Sequence, residues 1–333
     1  MGVLNKVVNT IRNIFGSGKT STPDNTSARL AELRKLMQQE QIDFYLAPSI
    51  DAHNSEYVPE CWQRRTWISN FTGSAGEALI GLNEALLSTD GRYFLQADQE
   101  LNAKYFTLLK QQGFVPETEL WLKKNTQGKT LGIDAKLIGI ARFNQLNNLM
   151  TSLGGKLVKL SENLIDKARA NLNEQLPLPN TPALTLDIKY TGQSTKDKLT
   201  WLRGEIKAIG TDFIALNALD EIAWLFNIRG NDIDFNPYVI SYVLVSADKA
   251  VLYADNNKFT ADMIVELVKS GITVKPYDEF YADAGKIETS VLLDDKVASQ
   301  WMLDAISANV NKVFVPSPIV LKKSRKNLTE ISG

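Results

Sequence analysis

The chain has 333 residues, 44% of them hydrophobic and 23% charged, the composition of an ordinary soluble globular protein long enough for two domains. A formal net charge of −1 excludes a basic field that would concentrate nucleic acid, and no RNA- or DNA-binding motif occurs. A lone cysteine, Cys61, excludes an internal disulfide framework, suits a reducing compartment and reads as an inert small residue.

In chain order, residues 1–27 come first as a leader and linker. Val3, Leu4, Val7, Val8, Ile11, Ile14 and Phe15 make an apolar stripe at helical spacing, opposite Asn5, Lys6, Asn9 and Arg12. It is too broken by polar residues to span a bilayer or to serve as a secretory segment, so stable membrane insertion is not expected. A short surface helix, a disordered leader and weak membrane contact all remain open. Gly16-Ser-Gly-Lys-Thr20 imitates a phosphate loop but has Asn13 where the first glycine belongs, and no strand precedes it.

A helix is predicted over about 26–41, with Leu30, Leu33, Leu36 and Met37 on its apolar face, followed by a strand ending at Pro48. A helix around Trp67 comes next, then small residues Gly73 to Gly76 that let the backbone turn. A hairpin over about 77–89 turns at Asn83-Glu84. Asp90 and Arg92 read as a turn residue and a structural ion pair before a helix over 93–101. Helices over 117–124 and 142–152 alternate with strands over 131–134 and 156–160. Pro177, Pro179 and Pro182 stiffen a linker. Ser194 then caps a helix to Ala208, and a strand over 212–216 leads to ALDEIAWLF at 218–226. There Ala218, Ile222, Leu225 and Phe226 recur at helical spacing behind Asp220 and Glu221. Asn227, Gly230 and Asn231 stop this helix, and 232–237 reads as an ordered loop.

The chain repeats itself. Residues 66–73 (TWISNFTG) align with 223–230 (AWLFNIRG), pairing Trp67 with Trp224, Asn70 with Asn227 and Gly73 with Gly230. Arg29-Leu30 matches Lys198-Leu199 and Asp43-Phe44 matches Asp212-Phe213, both at one offset (198 − 29 = 169). The runs at 78–90 and 243–255 match, as do 130–136 and 290–296. Several matches in one order predict two copies of one domain with the same strand order; the period is too long for a stacked-repeat solenoid. The offset falls to 157 (224 − 67) across residues 49–62, so the first copy carries twelve extra residues there. The second copy has its own longer loop at 228–243.

DAHNSEY at 51–57, Arg64-Arg65 leading to NFTGSAG at 70–76, TDGRYFLQA at 89–97 and ALDEIAWLFNIRG at 218–230 resemble the N-terminal half of Xaa-Pro aminopeptidase, from about Leu30 onward. Asn70, Asn217 and Leu328 stand where that family tends to have glycine, threonine and proline. The resemblance implies an α/β fold of two tandem creatinase/prolidase N-terminal-like domains, each a mixed sheet with flanking helices. The expected layout is a first domain at 28–170, a linker at 171–190, a second domain at 191–326, and the start of a catalytic domain at 327–333. It also implies a cytoplasmic protein and, in the full-length family, a homodimer that cleaves proline-containing peptides with two divalent metal ions, manganese being expected. This chain is expected to hold no metal or other cofactor and to be inactive alone, because such chemistry needs histidine and the only one is His53. A free-standing binding module, or the remnant of a split gene, is the alternative.

An insertion in one of two duplicated domains is a candidate functional loop. His53, Glu56, Tyr57, Arg64 and Arg65 are therefore expected to line a substrate rim, the arginines clamping a peptide carboxylate or carbonyl. The competing expectation is that both arginines pair with acids of their own domain. Arg229, Asp232 and Asp234, in the second longer loop, lack a companion histidine and read as solvated or interface residues, candidates for an interface rather than for chemistry. At 327–330, Asn-Leu-Thr-Glu has the form of a capping box at a helix start.

Overall fold

The computed structural model describes residues 24–332. The expected leader helix and the Gly16 to Thr20 segment lie outside these residues.

The first domain is a six-stranded mixed sheet built from β1 (Phe44–Pro48), β2 (Glu77–Gly81), β3 (Ala85–Thr89), β4 (Thr107–Lys110), β5 (Thr130–Asp134) and β6 (Lys156–Leu160). In space the order is β4-β3-β2-β1-β5-β6, with β1 antiparallel to β2 and parallel to β5. The second half of the chain adds β7 (Leu184–Thr185), β8 (Phe213–Leu216), β9 (Ile228–Arg229), β10 (Ser241–Ser246), β11 (Ala250–Ala254), β12 (Thr273–Lys275), β13 (Ser290–Leu293) and β14 (Asn311–Phe314). Its large sheet runs β12-β11-β10-β8-β13-β14, with β8 antiparallel to β10 and parallel to β13. Strand for strand this is the order of the first sheet, as a duplicated domain requires.

Both faces of each sheet are covered by helices, so the central strands read as unbroken apolar runs rather than alternating ones. In the first domain the helices Thr26–Gln39, Arg64–Ser69 and Leu164–Asn171 bury Leu33, Ile68 and Ile165 on one face. The helix Ile140–Ser152 buries Leu146 and Met150 on the other. In the second, the helices Thr195–Ile209 and Leu219–Phe226 bury Leu202 and Leu225 on one face, and Phe280 and Met302 lie on the opposite one. Ser194 caps the first of these helices by accepting from Asp197 N at 3.1 Å, and Gly210 ends it at φ 82°. Gly76 is required where it stands: at φ 144°, a Cβ would come within 2.6 Å of Ser88 O.

In the first domain, one strand and one α-helix escaped the sequence pattern. The strand Thr107–Lys110 lies at a sheet edge with its ends exposed and carries no core-facing run. The helix Leu164–Asn171 is set by Asn163, whose Oδ1 accepts from Ile165 N and Asp166 N at 3.0 and 3.1 Å. The expected linker at 171–190 is partly built into the second domain. Ala183 belongs to that domain's core, and Leu184–Thr185 pairs with Ile228–Arg229.

The domains meet through equivalent segments. Residues 138–140 and 298–300 correspond at the offset of the matched strands (296 − 136 = 160). Ile140 N donates to Ala298 O at 3.1 Å, and reciprocally Gln300 N donates to Ile138 O at 2.8 Å. The contact is isologous, like that of a two-fold dimer held within one chain.

Candidate functional site

The twelve-residue insertion lies between β1 and the helix Arg64–Ser69. Asp51 organises its start: Oδ1 accepts from His53 N at 2.9 Å and Ser55 N at 3.0 Å, an Asx turn that allows Asn54 its φ of 56°. This turn drives Ala52 and His53 into the second domain, where Ala52 joins the hydrophobic core.

His53 is 1% exposed and does not belong to an exposed rim, contrary to the sequence expectation. Its Nδ1 lies 3.0 Å from Asn217 O, which can only accept, so Nδ1 carries the proton. Its Nε2 accepts from the Tyr277 hydroxyl at 2.9 Å. The ring packs among Trp62, Tyr242 and Tyr277, and burial holds its pKa below the ordinary histidine value. Histidine is an interdomain peg here because it bonds at both ends while presenting aromatic faces to its neighbours.

Beyond the peg the loop returns to the surface. Glu56 and Tyr57 line a cavity of about 210 Å³ together with Arg64 and Arg65. The second domain's long loop reaches the same cavity through Asp234 and Phe235. Phe235 is 93% exposed at φ 64°, a costly conformation for an aromatic residue. Periodicity could not have singled it out; an aromatic between Asp234 and Asn236 in a loop was the only signal. Glu56 also lines two adjoining cavities, of about 340 and 460 Å³, so the loop tip is the hub of one interdomain cleft.

The two arginines differ. Arg64 forms a bidentate pair with Asp166, at 2.8 Å through Nε and 2.7 Å through Nη2. Burial opposes its charge, yet the pair outweighs burial and its pKa is raised. It meets the expectation of pairing with an acid of its own domain. Arg65 pairs with no acid among the described residues: its guanidinium donates to Gly73 O and stacks 4.6 Å from the Phe71 ring centre. Burial pushes its pKa down to about 10.

Two residues expected to be solvated or at an interface, Asp232 and Arg229, are fastened internally. Asp232 is buried; it pairs with Lys258 at 2.5 Å and accepts from Thr181 Oγ1 at 2.7 Å and Ile240 N at 2.8 Å. Arg229 turns back to Ala223 O in the last turn of the helix Leu219–Phe226, at 2.6 Å, and to Ile228 O just beyond it, at 2.8 Å. Only Asp234 of the three is exposed. Cys61 is buried, and burial raises its thiol pKa. Among the described residues no group of three or more His, Cys, Asp or Glu side chains could hold a metal ion.

Comparison with known proteins places these features. Residues 29–171 and 174–330 each match a family described as the creatinase/prolidase N-terminal domain. The chain belongs to the creatinase/prolidase N-terminal domain family. It carries that domain twice, as the two equivalent sheets require. The chain is 39% identical over 324 residues to a "probable Xaa-Pro aminopeptidase P" of Sordaria macrospora, covering 93% of this chain and 52% of the relative. A protein of the same description from Neurospora crassa is 38% identical, with 93% and 47% covered. Among solved structures, the X-prolyl aminopeptidase of Caenorhabditis elegans, described as a cytosolic enzyme with a di-nuclear active site, matches with TM-score 0.85 and 29% identity. That match covers 92% of this chain and 52% of the enzyme. This pair of creatinase/prolidase N-terminal domains therefore spans about half the length of the proteins it resembles.

Proposed function

We propose that the chain serves as the non-catalytic N-terminal region of a metal-dependent, cytoplasmic Xaa-Pro aminopeptidase, supporting homodimer assembly and shaping peptide access to an active site formed elsewhere. The observation that carries this reading is the convergence of the longer loops of both domains on one cleft, with Glu56, Tyr57 and Arg65 from one and Asp234 and Phe235 from the other. Two rigid sheets hold these loops, which is what a rim needs if it is to present polar and aromatic groups at fixed positions. Tyr57, at 46% exposure, and Phe235 supply apolar surface, and Arg65 lines the cleft as a buried group whose guanidinium donates to Gly73 O.

The residues present do not suit the two divalent ions, manganese or other, that such an enzyme uses. The single histidine has both nitrogens engaged in the domain seam, so no hydrolytic step is assigned to this chain.

The test has two parts. The purified chain, with manganese supplied, should release no residue from Xaa-Pro peptides. A chimera in which it replaces the matched half of the Sordaria macrospora relative should turn over. In that chimera, Tyr57→Ala and Phe235→Ala should raise KM or lower kcat at unchanged melting temperature and dimerisation. Chelator-sensitive turnover by the chain alone, or full activity in both variants, would reject the proposal.

A further inference from the structure

The duplication allows one place in the fold to be compared with itself. At the carboxyl ends of β1 and β5 in the first domain stand Pro48, Asp134, Leu137 and Ile138. Their counterparts in the second domain are Asn217 (217 − 48 = 169), Asp294, Val297 and Ala298 (each at offset 160). In open α/β sheets ligands gather outside the carboxyl ends of the strands where the strand order reverses, and here β2 and β5 lie on opposite sides of β1.

In the second domain that place is filled by polypeptide. Ala52 and His53 of the insertion descend on it, Asn217 Nδ2 donating to Ala52 O at 3.2 Å and Asn217 O accepting from His53 at 3.0 Å. A space of only about 10 Å³ remains beside Asn217. The second domain has no matching insertion to return the contact. The same place in the first domain is accordingly a cavity of about 460 Å³, within the range of small-ligand sites.

Its floor is apolar, from Leu46, Ile133, Leu137 and Ile138. Most of its charged lining is already committed: Arg142 pairs with Glu77 and Glu119, and Arg92 with Asp90 at 2.8 Å. Asp134 accepts from Asn163 Nδ2 at 2.9 Å. Lys296, Glu56 and Asp134 have no ion pair among the described residues, but both oxygens of Asp134 are taken, by Lys136 N and Asn163 Nδ2, which leaves Lys296 and Glu56 uncommitted. The lining thus offers one uncommitted cation, brought by the second domain, and one uncommitted anion, brought by the insertion.

We propose that this first-domain cavity binds a short unblocked peptide, its side chains on the apolar floor, its carboxylate at Lys296 and its ammonium at Glu56. The equivalent place already accepts two consecutive residues, Ala52 and His53, and two uncommitted charges of opposite sign match a zwitterion. The inference does not depend on the aminopeptidase reading, because it concerns binding by this chain without turnover.

Titration calorimetry of the chain with Ala-Ala-Ala tests it. Saturable one-site binding is expected, weakened about tenfold or more by N-acetylation and C-terminal amidation of the peptide. Lys296→Ala, a change at an exposed residue, should weaken the free peptide about tenfold with no change in melting temperature. Ala75→Phe, at the cavity wall, should abolish binding. Absence of saturable binding, equal affinity for the blocked peptide, or full affinity in Lys296→Ala would each overturn the proposal, the last even if Ala75→Phe fails to fold.

Discussion

Lys198 holds in the second domain the place that Arg29 holds in the first. Lys198 Nζ donates to Trp224 O at 2.8 Å and Asn227 Oδ1 at 2.7 Å; Arg29 Nη1 donates to Trp67 O at 2.8 Å and Asn70 Oδ1 at 3.3 Å. In each case a cation from the domain's first helix closes the end of the Trp helix, where the asparagine takes the left-handed conformation at φ 54° or 60°. A glutamate completes each copy: Glu174 accepts from Trp67 Nε1 at 2.6 Å and Glu330 from Trp224 Nε1 at 3.3 Å. Glu174 also pairs with Arg29 at 2.7 Å, whereas Lys198, 1% exposed, forms no ion pair among the described residues. Burial therefore pushes its pKa down to about 8.

Lys198→Met should destabilise the chain by about 2–4 kcal/mol, because Trp224 O and Asn227 Oδ1 lose their donor away from water. Arg29→Met should cost less, since Arg29 is partly exposed and water can replace it. Urea unfolding at constant m-value measures both.

The interdomain peg makes stability depend on pH. His53 is neutral when buried and its folded pKa lies below 6.5, so as pH falls below 6.5 the unfolded chain takes up more protons than the folded one. Stability contributed by His53 should decline as pH drops from about 6.5 towards its folded pKa, and His53→Gln should flatten this slope while destabilising at pH 8. Melting temperatures across pH 5–8 would show it.

Glu221 should act with the opposite sign. Burial raises its pKa from 4.5 to about 7, so between these values the folded state holds more protons and stability rises as pH falls. Glu221→Gln should remove that rise and stabilise the chain at pH 8 by roughly 1–3 kcal/mol, provided Ser317, 2.5 Å away, keeps an acceptor. The double variant His53→Gln/Glu221→Gln should show neither slope.

Asp232 and Asp234, two residues apart, should respond oppositely to alanine. Asp232→Ala leaves Lys258 buried without its carboxylate and should cost about 3–5 kcal/mol, whereas Asp234→Ala at the surface should stay within roughly 0.5 kcal/mol. Equal effects in thermal unfolding would contradict this assignment.

The capping box expected at 327–330 forms around the helix Leu328–Ser332: Asn327 Oδ1 accepts from Glu330 N at 2.9 Å, and Glu330 Oε2 accepts from Asn327 N at 3.0 Å. Such features were legible because their causes are local: spacing of apolar residues, a capping side chain, a glycine or asparagine where the chain turns left-handed. The duplication was legible for a related reason, since equivalent positions such as Trp67 and Trp224 face equivalent packing. Site roles were less so. Among the loop residues, sequence could mark the insertion at 49–62 as special, but not that Asp51 would aim His53 into the second domain while leaving Tyr57 outside.

By itself, then, the amino-acid sequence determined two α/β domains of one ancestry, their helix ends and the loops in which they differ, because these follow from short-range periodicity and from comparison of one half with the other. Only the tertiary structure decided that Asp232 is a buried counter-ion, that Arg64 is spent on Asp166 and Arg65 on the Gly73 carbonyl, and that one sheet end is plugged while its twin is open. A side chain's charge is written in the sequence; its partner and its access to water are set by residues distant along the chain, as between Asp232 and Lys258 or Arg64 and Asp166, and become fixed when the sheets pack.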